Sequence, residues 1–209
     1  MSRLGNRLVR RFRRWLGLGW SAAEFEKRYA AVAEDAWGYH ASQTHRGRAD
    51  RILAVLQGCT PQRLLELGCA EGFLTRRLAA QAAAVVACDL SERAVERARQ
   101  HCAGLVHVQF LAADVRQRLP EGNFDVCLAS DVLYYLSPAE IVSLAGRLRQ
   151  QMPTGARLIF ANEWNESYRD LTPPQQVLQC LTGDGAWSCV SQDLQNSGSG
   201  SSHFLALLN

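Results

Sequence analysis

One short stretch constrains this 209-residue chain more than any other. Leu64, Leu65, Glu66, Leu67, Gly68, Cys69, Ala70, Glu71, Gly72 and Phe73 run an apolar strand into a glycine turn and out into a helix. A turn of this kind lets backbone approach a ligand closely and aims a helix N-terminus at it. A dinucleotide would call for G-x-G-x-x-G around its pyrophosphate. Here the spacing is Gly68-x-Ala70-x-Gly72, and Glu71 would bring like charge towards any phosphate, so dinucleotide binding is disfavoured.

From Arg63 onward, short apolar or β-branched runs alternate with helical stretches, the pattern of a parallel sheet with helices on both faces. The expected strands are 63–68, 84–88, 108–112, 124–129 and 156–161, and the expected helices 73–81, 92–101 and 139–151. Ser91 is the expected N-cap of the second helix, with Glu92 in its first turn. Residues 187–190 and 203–208 read as two further strands separated by the glycine- and serine-rich tract 196–202. Joined without a helix, they must pair antiparallel. The prediction is therefore an α/β fold, Rossmann-like, with a seven-stranded, mostly parallel sheet that ends in a C-terminal antiparallel hairpin. Three regions are expected: a basic amphipathic helix over 1–20, a helical cap or lid over 21–60 with an apolar stripe along 49–56, and a ligand-binding domain over 61–209.

Two acids narrow the ligand. Asp89 closes the run Val85, Val86, Ala87, Cys88 and lies 21 residues after Gly68, where an acidic side chain can accept from both ribose hydroxyls. Asp114 ends the third strand, placed to accept a hydrogen bond from an adenine amino group. Ligands of open α/β sheets bind at these strand ends. S-adenosylmethionine presents an ammonium, a sulfonium and a carboxylate but no phosphate, which suits Glu66 beside the turn. On these residues the chain from about 63 to 209 resembles the class I S-adenosylmethionine-dependent methyltransferase superfamily. The resemblance implies cofactor contacts along Glu66, Gly68, Cys69, Ala70, Gly72, Asp89, Leu90, Asp114, Val115 and Ser130. Ala70 stands where many members have a middle glycine, and its methyl group is tolerated there if the backbone keeps a negative φ.

A narrower resemblance, to the nodulation-type (NodS-like) N-methyltransferases, rests on Asp35, Ala36, Trp37, Gly38 and Tyr39, then Ser42, Ser91, and the stretch from Ser130 and Asp131 through Tyr134 and Tyr135 to Ser137 and Pro138. That family methylates an amino sugar of a chitooligosaccharide. Ala36 departs from it, standing where the family usually has proline, and Arg46 stands close to where the family usually has an acid. Methyl transfer from a sulfonium is an in-line displacement that rests largely on positioning in a dry pocket, although an amine must be neutral to attack. Asp131 or Glu163 is the expected proton acceptor, with Tyr134, Tyr135 and Trp164 shaping the pocket. His40 and His45 are secondary candidates. Trp37 and Tyr39 are expected over the methionine end of the cofactor, where a cation meets an aromatic face. The expected acceptor is a small molecule or glycan, methylated at nitrogen rather than oxygen. Two alternatives stay open: a non-catalytic interaction module on the same fold, and an O-methyltransferase of a lipid-linked or secondary metabolite.

Composition removes other classes. Nucleic-acid amino methyltransferases carry [DNS]-P-P-[YF] after the fourth strand, and this chain has Ser130, Asp131, Val132, Leu133, so nucleic acid is not the expected partner. Seven scattered cysteines, never spaced C-x-x-C, argue for reduced thiols and against a zinc site. No apolar run is long enough for a membrane-spanning helix, and a cytoplasmic location is expected. The net charge is +3, yet residues 1–20 hold six Arg and no acid, so the remainder sums to −3. Leu4, Leu8, Phe12, Trp15 and Leu16 repeat at helical spacing opposite Arg3, Arg7, Arg10 and Arg14, a pattern that suits an anionic membrane surface, docking on protein, an RNA-facing arm, or a transit-like leader.

Overall fold

Strands form where the apolar runs lie. In the computed structural model, which describes residues 21–58, 60–165, 168, 170–196 and 202–209, they are β1 (Arg63–Leu67), β2 (Ala84–Asp89), β3 (Val108–Ala112), β4 (Val126–Ser130), β5 (Arg157–Trp164), β6 (Cys189–Asn196) and β7 (Ser202–Leu208). The basic helix expected over 1–20 lies outside the described residues. The helices are α1 (Ala22–Ala30), α2 (Gln43–Leu56), α3 (Phe73–Leu78), α4 (Glu92–His101), α5 (Pro138–Gln151) and α6 (Pro174–Thr182), with a 3₁₀ turn over Leu133–Tyr135.

The sheet order is β3-β2-β1-β4-β5-β7-β6. The first five strands run parallel, β7 is antiparallel to β5, and β6 is antiparallel to β7. The C-terminal hairpin is thus present, with the last strand inserted beside β5 and β6 at the edge. Period-2 alternation sends the strands' side chains to two cores. Leu65, Cys127, Leu158, Phe160 and Phe204 pack with α5 and α6 residues such as Leu144 and Val177. Leu64, Val126, Leu128, Ile159 and Leu205 pack on the other face with Ile52, Leu56, Leu78 and Val95. Coverage on both faces explains why β1 and β4 read as continuous apolar runs.

The chain winds outward from β1 through β2 to β3 and then crosses back to β4 on the other side of β1, and this reversal opens a crevice beyond the C-terminal ends of β1 and β4. Local chemistry fixes the helices around it. Ser91 caps α4 as expected, its Oγ accepting the N–H of Ala94 at 3.1 Å, and Ser137 with Glu140 forms a capping box on α5. Several boundaries differ from the sequence reading. β5 runs on to Trp164 because β7 pairs with it along its length. β6 starts only at Cys189, since Trp187 turns inward and is buried. Residues 21–60 do form two helices, but α2 contributes Ile52, Leu53 and Leu56 to the sheet's core, so this half of the expected lid is a structural layer.

Candidate active site

The glycine turn is built as a cradle. Gly68 and Cys69 donate their N–H groups to the carbonyl of Cys88 at 2.8 and 2.9 Å. Gly68 takes φ +76, and a Cβ there would lie 2.9 Å from Val132 Cβ, so only glycine fits. Gly72 takes φ +82 and caps α3, close against Ala98 and Cys102 of α4. Ala70 adopts φ +48, which corrects the expectation of a negative φ at that position. Its strained backbone is tied down: the Ala70 N–H donates to Asp89 Oδ2 at 2.9 Å, and Asp89 Oδ1 accepts the N–H of Ser91 at 3.0 Å.

Glu66 and Asp89 are both buried beside this turn. Burial, the largest cause in each case, pushes Glu66 up to about 7 and Asp89 up to about 6. The Thr75 hydroxyl, 2.6 Å from Glu66 Oε2, opposes the shift on Glu66, as do the Ser91 and Ala70 N–H groups on Asp89. Folded protein holds these two protons more tightly than unfolded chain. Their contribution to stability is therefore complete below the ordinary carboxyl values of 4.5 and 3.8 and is lost as pH rises through about 6 to about 7. Urea unfolding of the cofactor-free protein is expected to show a decline between about pH 4 and about pH 7 that Glu66→Gln flattens. An unaltered slope in that variant would show that Glu66 is not strained by burial.

Between the turn and α2 lies a recess lined by Tyr39, His45, Arg48, Ala49, Ile52, Glu66, Gly68, Cys69, Phe73, Leu74 and Ser130. Of the expected cofactor residues, Glu66, Gly68, Cys69, Ser130 and Tyr39 meet here. Tyr39 stacks on Phe73 with ring centroids 5.5 Å apart and 9° between planes. Trp37 does meet a cation, but it is the protein's own: the Arg28 guanidinium lies 4.3 Å from its ring centroid, while Trp37 Nε1 donates to the Tyr29 hydroxyl at 2.8 Å. Leu90 follows Asp89 half-buried, and Val115 buries its side chain in the core. Asp114 is turned onto its own loop, where Arg116 Nε and Nη2 reach it at 2.8 and 2.7 Å and hold its carboxyl below the usual range.

At the acceptor side, Asp131 sits at φ +54 with both oxygens engaged: Oδ1 accepts the Glu163 N–H at 2.7 Å, and Oδ2 pairs with Arg48. Glu163 lies beside it, with Oε2 3.9 Å from Arg48 Nη1. Tyr134 is buried and stacks with Tyr168 at 5.5 Å, and Tyr135 meets Phe25 edge-on at 5.0 Å. Burial drives both phenols up, away from any role as a base at neutral pH. Sequence reasoning missed Arg48, which is buried in spite of its charge. The signal was there: His45, Arg48, Ala49, Ile52 and Leu56 share one helical face, so the apolar stripe read over 49–56 carries an arginine one turn earlier.

The profile of the methyltransferase domain matches residues 64–155. Nodulation protein S of Rhizobium tropici is 30% identical over 156 residues, covering 72% of this chain and 66% of that protein. Phosphoethanolamine N-methyltransferase 3 of Arabidopsis thaliana is 29% identical over 123 residues, 57% of this chain and 25% of its own length. The chain thus spans just under two thirds of the first of these relatives. Among solved structures, the N-methyltransferase NodS of Bradyrhizobium japonicum in complex with S-adenosyl-L-homocysteine superposes with a TM-score of 0.79 at 24% identity, covering 90% of this chain and 97% of that one. Residues 64–155 thus carry a methyltransferase domain, and the chain is similar to the nodulation-type proteins in sequence and in fold.

Proposed function

We propose that the protein methylates an amine of a small molecule or glycan, with S-adenosylmethionine as the methyl donor. The observation that carries this reading is the donor set of the recess. Arg48 Nη1 is buried and makes no hydrogen bond among the described residues, and it shares the recess with the Glu66 carboxyl and the Gly68 backbone. A carboxylate entering there finds a donor, and an ammonium finds an acid, which fits the amino-acid end of the cofactor. Asp89, buried beside the turn, is the acid read for the ribose. The bound cofactor supplies an electrophilic methyl group on a sulfonium. The chain's own part is to orient the two reactants and exclude water.

The names of two relatives, both N-methyltransferases, support nitrogen as the methylated atom. Asp131 and Glu163 are the two carboxylates expected as proton acceptor, and Glu163 adds its charge beside the Asp131–Arg48 pair. Isothermal titration with S-adenosylmethionine and its demethylated product tests the cofactor reading, and failure of both to bind would end it. A cofactor-consumption screen over amino sugars, aminated lipids and hydroxylated metabolites tests the acceptor class. Asp89→Ala is expected to weaken cofactor binding by about 1.5–3 kcal/mol, since the ribose loses a charged acceptor. Unchanged affinity in a folded variant would reduce Asp89 to a turn-holding acid. The basic segment 1–20 supports a further reading, attachment to an anionic membrane surface. The full chain is expected to co-sediment with anionic vesicles at low salt and a chain lacking 1–20 is not; equal behaviour of the two removes that reading.

A further inference from the structure

Beyond the C-terminal ends of β4 and β5, polar side chains gather that the cofactor turn does not use. Glu163 Oε2 lies 3.7 Å from His45 Nε2, which comes from α2. His203 of β7 is the register partner of Glu163 on β5, so the two side chains leave the same face with Cβ atoms about 5 Å apart. That face also carries Leu205, which packs with α2 residues. His203 is only 7% exposed, and neither of its ring nitrogens has a hydrogen-bond partner among the described residues. His45 Nδ1 is likewise buried and unpartnered. An apolar side chain at position 203 would continue the face set by Leu205. Two imidazoles with three idle nitrogens beside a carboxylate are costly to bury unless a ligand completes them.

We propose that Glu163, His45 and His203 form the subsite for the acceptor's ammonium, in which Glu163 holds the cation and His45 takes its proton. The inference rests on the N-methylation reading above. An amine reaches the site as an ammonium and has no lone pair to offer. One N–H bond of the acceptor breaks with its electrons left on nitrogen, and one N–H bond forms on His45. The positive charge moves from acceptor to imidazole, and Glu163 faces it before and after. His45 takes this role because it lines the recess with Gly68 and Ser130, whereas His203 does not. His203, the register partner of Glu163, bounds the subsite from across the strands. Burial and the Arg48 charge hold its pKa below the ordinary value. The charged or titratable groups around His45 are Tyr39, with its ring 4.6 Å away, Arg48, Glu66, Asp131, Glu163 and His203.

Two cofactor analogues separate this subsite from the cofactor site itself. Sinefungin carries a primary amine on carbon in place of the methyl-bearing sulfonium, and S-adenosylhomocysteine carries neither charge. Both are titrated into the full-length protein and its variants. Wild type is expected to prefer sinefungin, and Glu163→Gln to cut that preference at least about tenfold while leaving S-adenosylhomocysteine affinity in place. His45→Gln is expected to weaken the preference as well, because the ammonium loses the acceptor beside Glu163. A preference that neither variant alters overturns the subsite and leaves the methyltransferase reading intact. Binding of neither analogue by wild type overturns both.

Discussion

Replacing Arg48 with methionine is expected to destabilise the protein by about 3–5 kcal/mol, the usual cost of breaking a buried ion pair from one side. Arg48 is 6% exposed and Asp131 12%. Burial works against the guanidinium's charge, and the groups around it, Asp131 first, more than restore it. Without Arg48, Asp131 would keep its left-handed backbone and the Glu163 N–H but lose its counter-charge. Asp131→Asn on top of Arg48→Met should therefore recover much of the loss, because no charge is then stranded. Cofactor affinity is expected to stay low in the double variant, since the buried Nη1, which makes no hydrogen bond among the described residues, is gone in both. Urea unfolding and calorimetric titration on the three proteins check the two halves separately. A single-variant loss under about 1 kcal/mol would mean that water reaches the pair in solution.

The parts of this molecule that were legible in the sequence are those governed by local pattern. The run from Leu64 to Phe73, the cap at Ser91 and the alternation of strands and helices each follow from chemistry within about ten neighbouring residues. The position of β7 between β5 and β6 was not legible, since pairing two strands antiparallel does not say which one abuts the parallel sheet. Helix α6 went unassigned, although Pro174 at its start is a helix-opening signal. The partners of the expected site residues were least visible of all. Asp131 and Arg48 are far apart in the chain, as are Glu163 and His203, and only the tertiary fold joins them. Ala70 shows the same limit in reverse. Its φ is imposed by the Asp89 carboxylate that receives its N–H, an interaction that no propensity of alanine foretells.

At the opposite end of the sheet, Trp187→Ala is expected to cost about 3–5 kcal/mol, the range for deleting a large aromatic side chain from a core. Trp187 is 1% exposed, donates Nε1–H to the Ala145 carbonyl at 3.1 Å, and has the Arg149 guanidinium 5.5 Å from its ring centroid. It thereby fastens the segment before β6 to α5, next to the pairing of Ser188 with Asn209. Trp187→Phe keeps most of the apolar volume and gives up the hydrogen bond, so its expected cost is smaller, about 1–2 kcal/mol. The cofactor recess lies at the other ends of the strands, near Ser130 and Ala161, while Leu208 and Leu158 pair at this end. Stability and cofactor affinity should therefore part company in Trp187→Ala: the unfolding midpoint falls and the dissociation constant for S-adenosylhomocysteine holds. In Arg48→Met the midpoint falls and the dissociation constant rises. If Trp187→Ala weakened cofactor binding in proportion to its loss of stability, the two ends of the sheet would be coupled through the α5 layer, and the recess could not be treated as rigid apart from it.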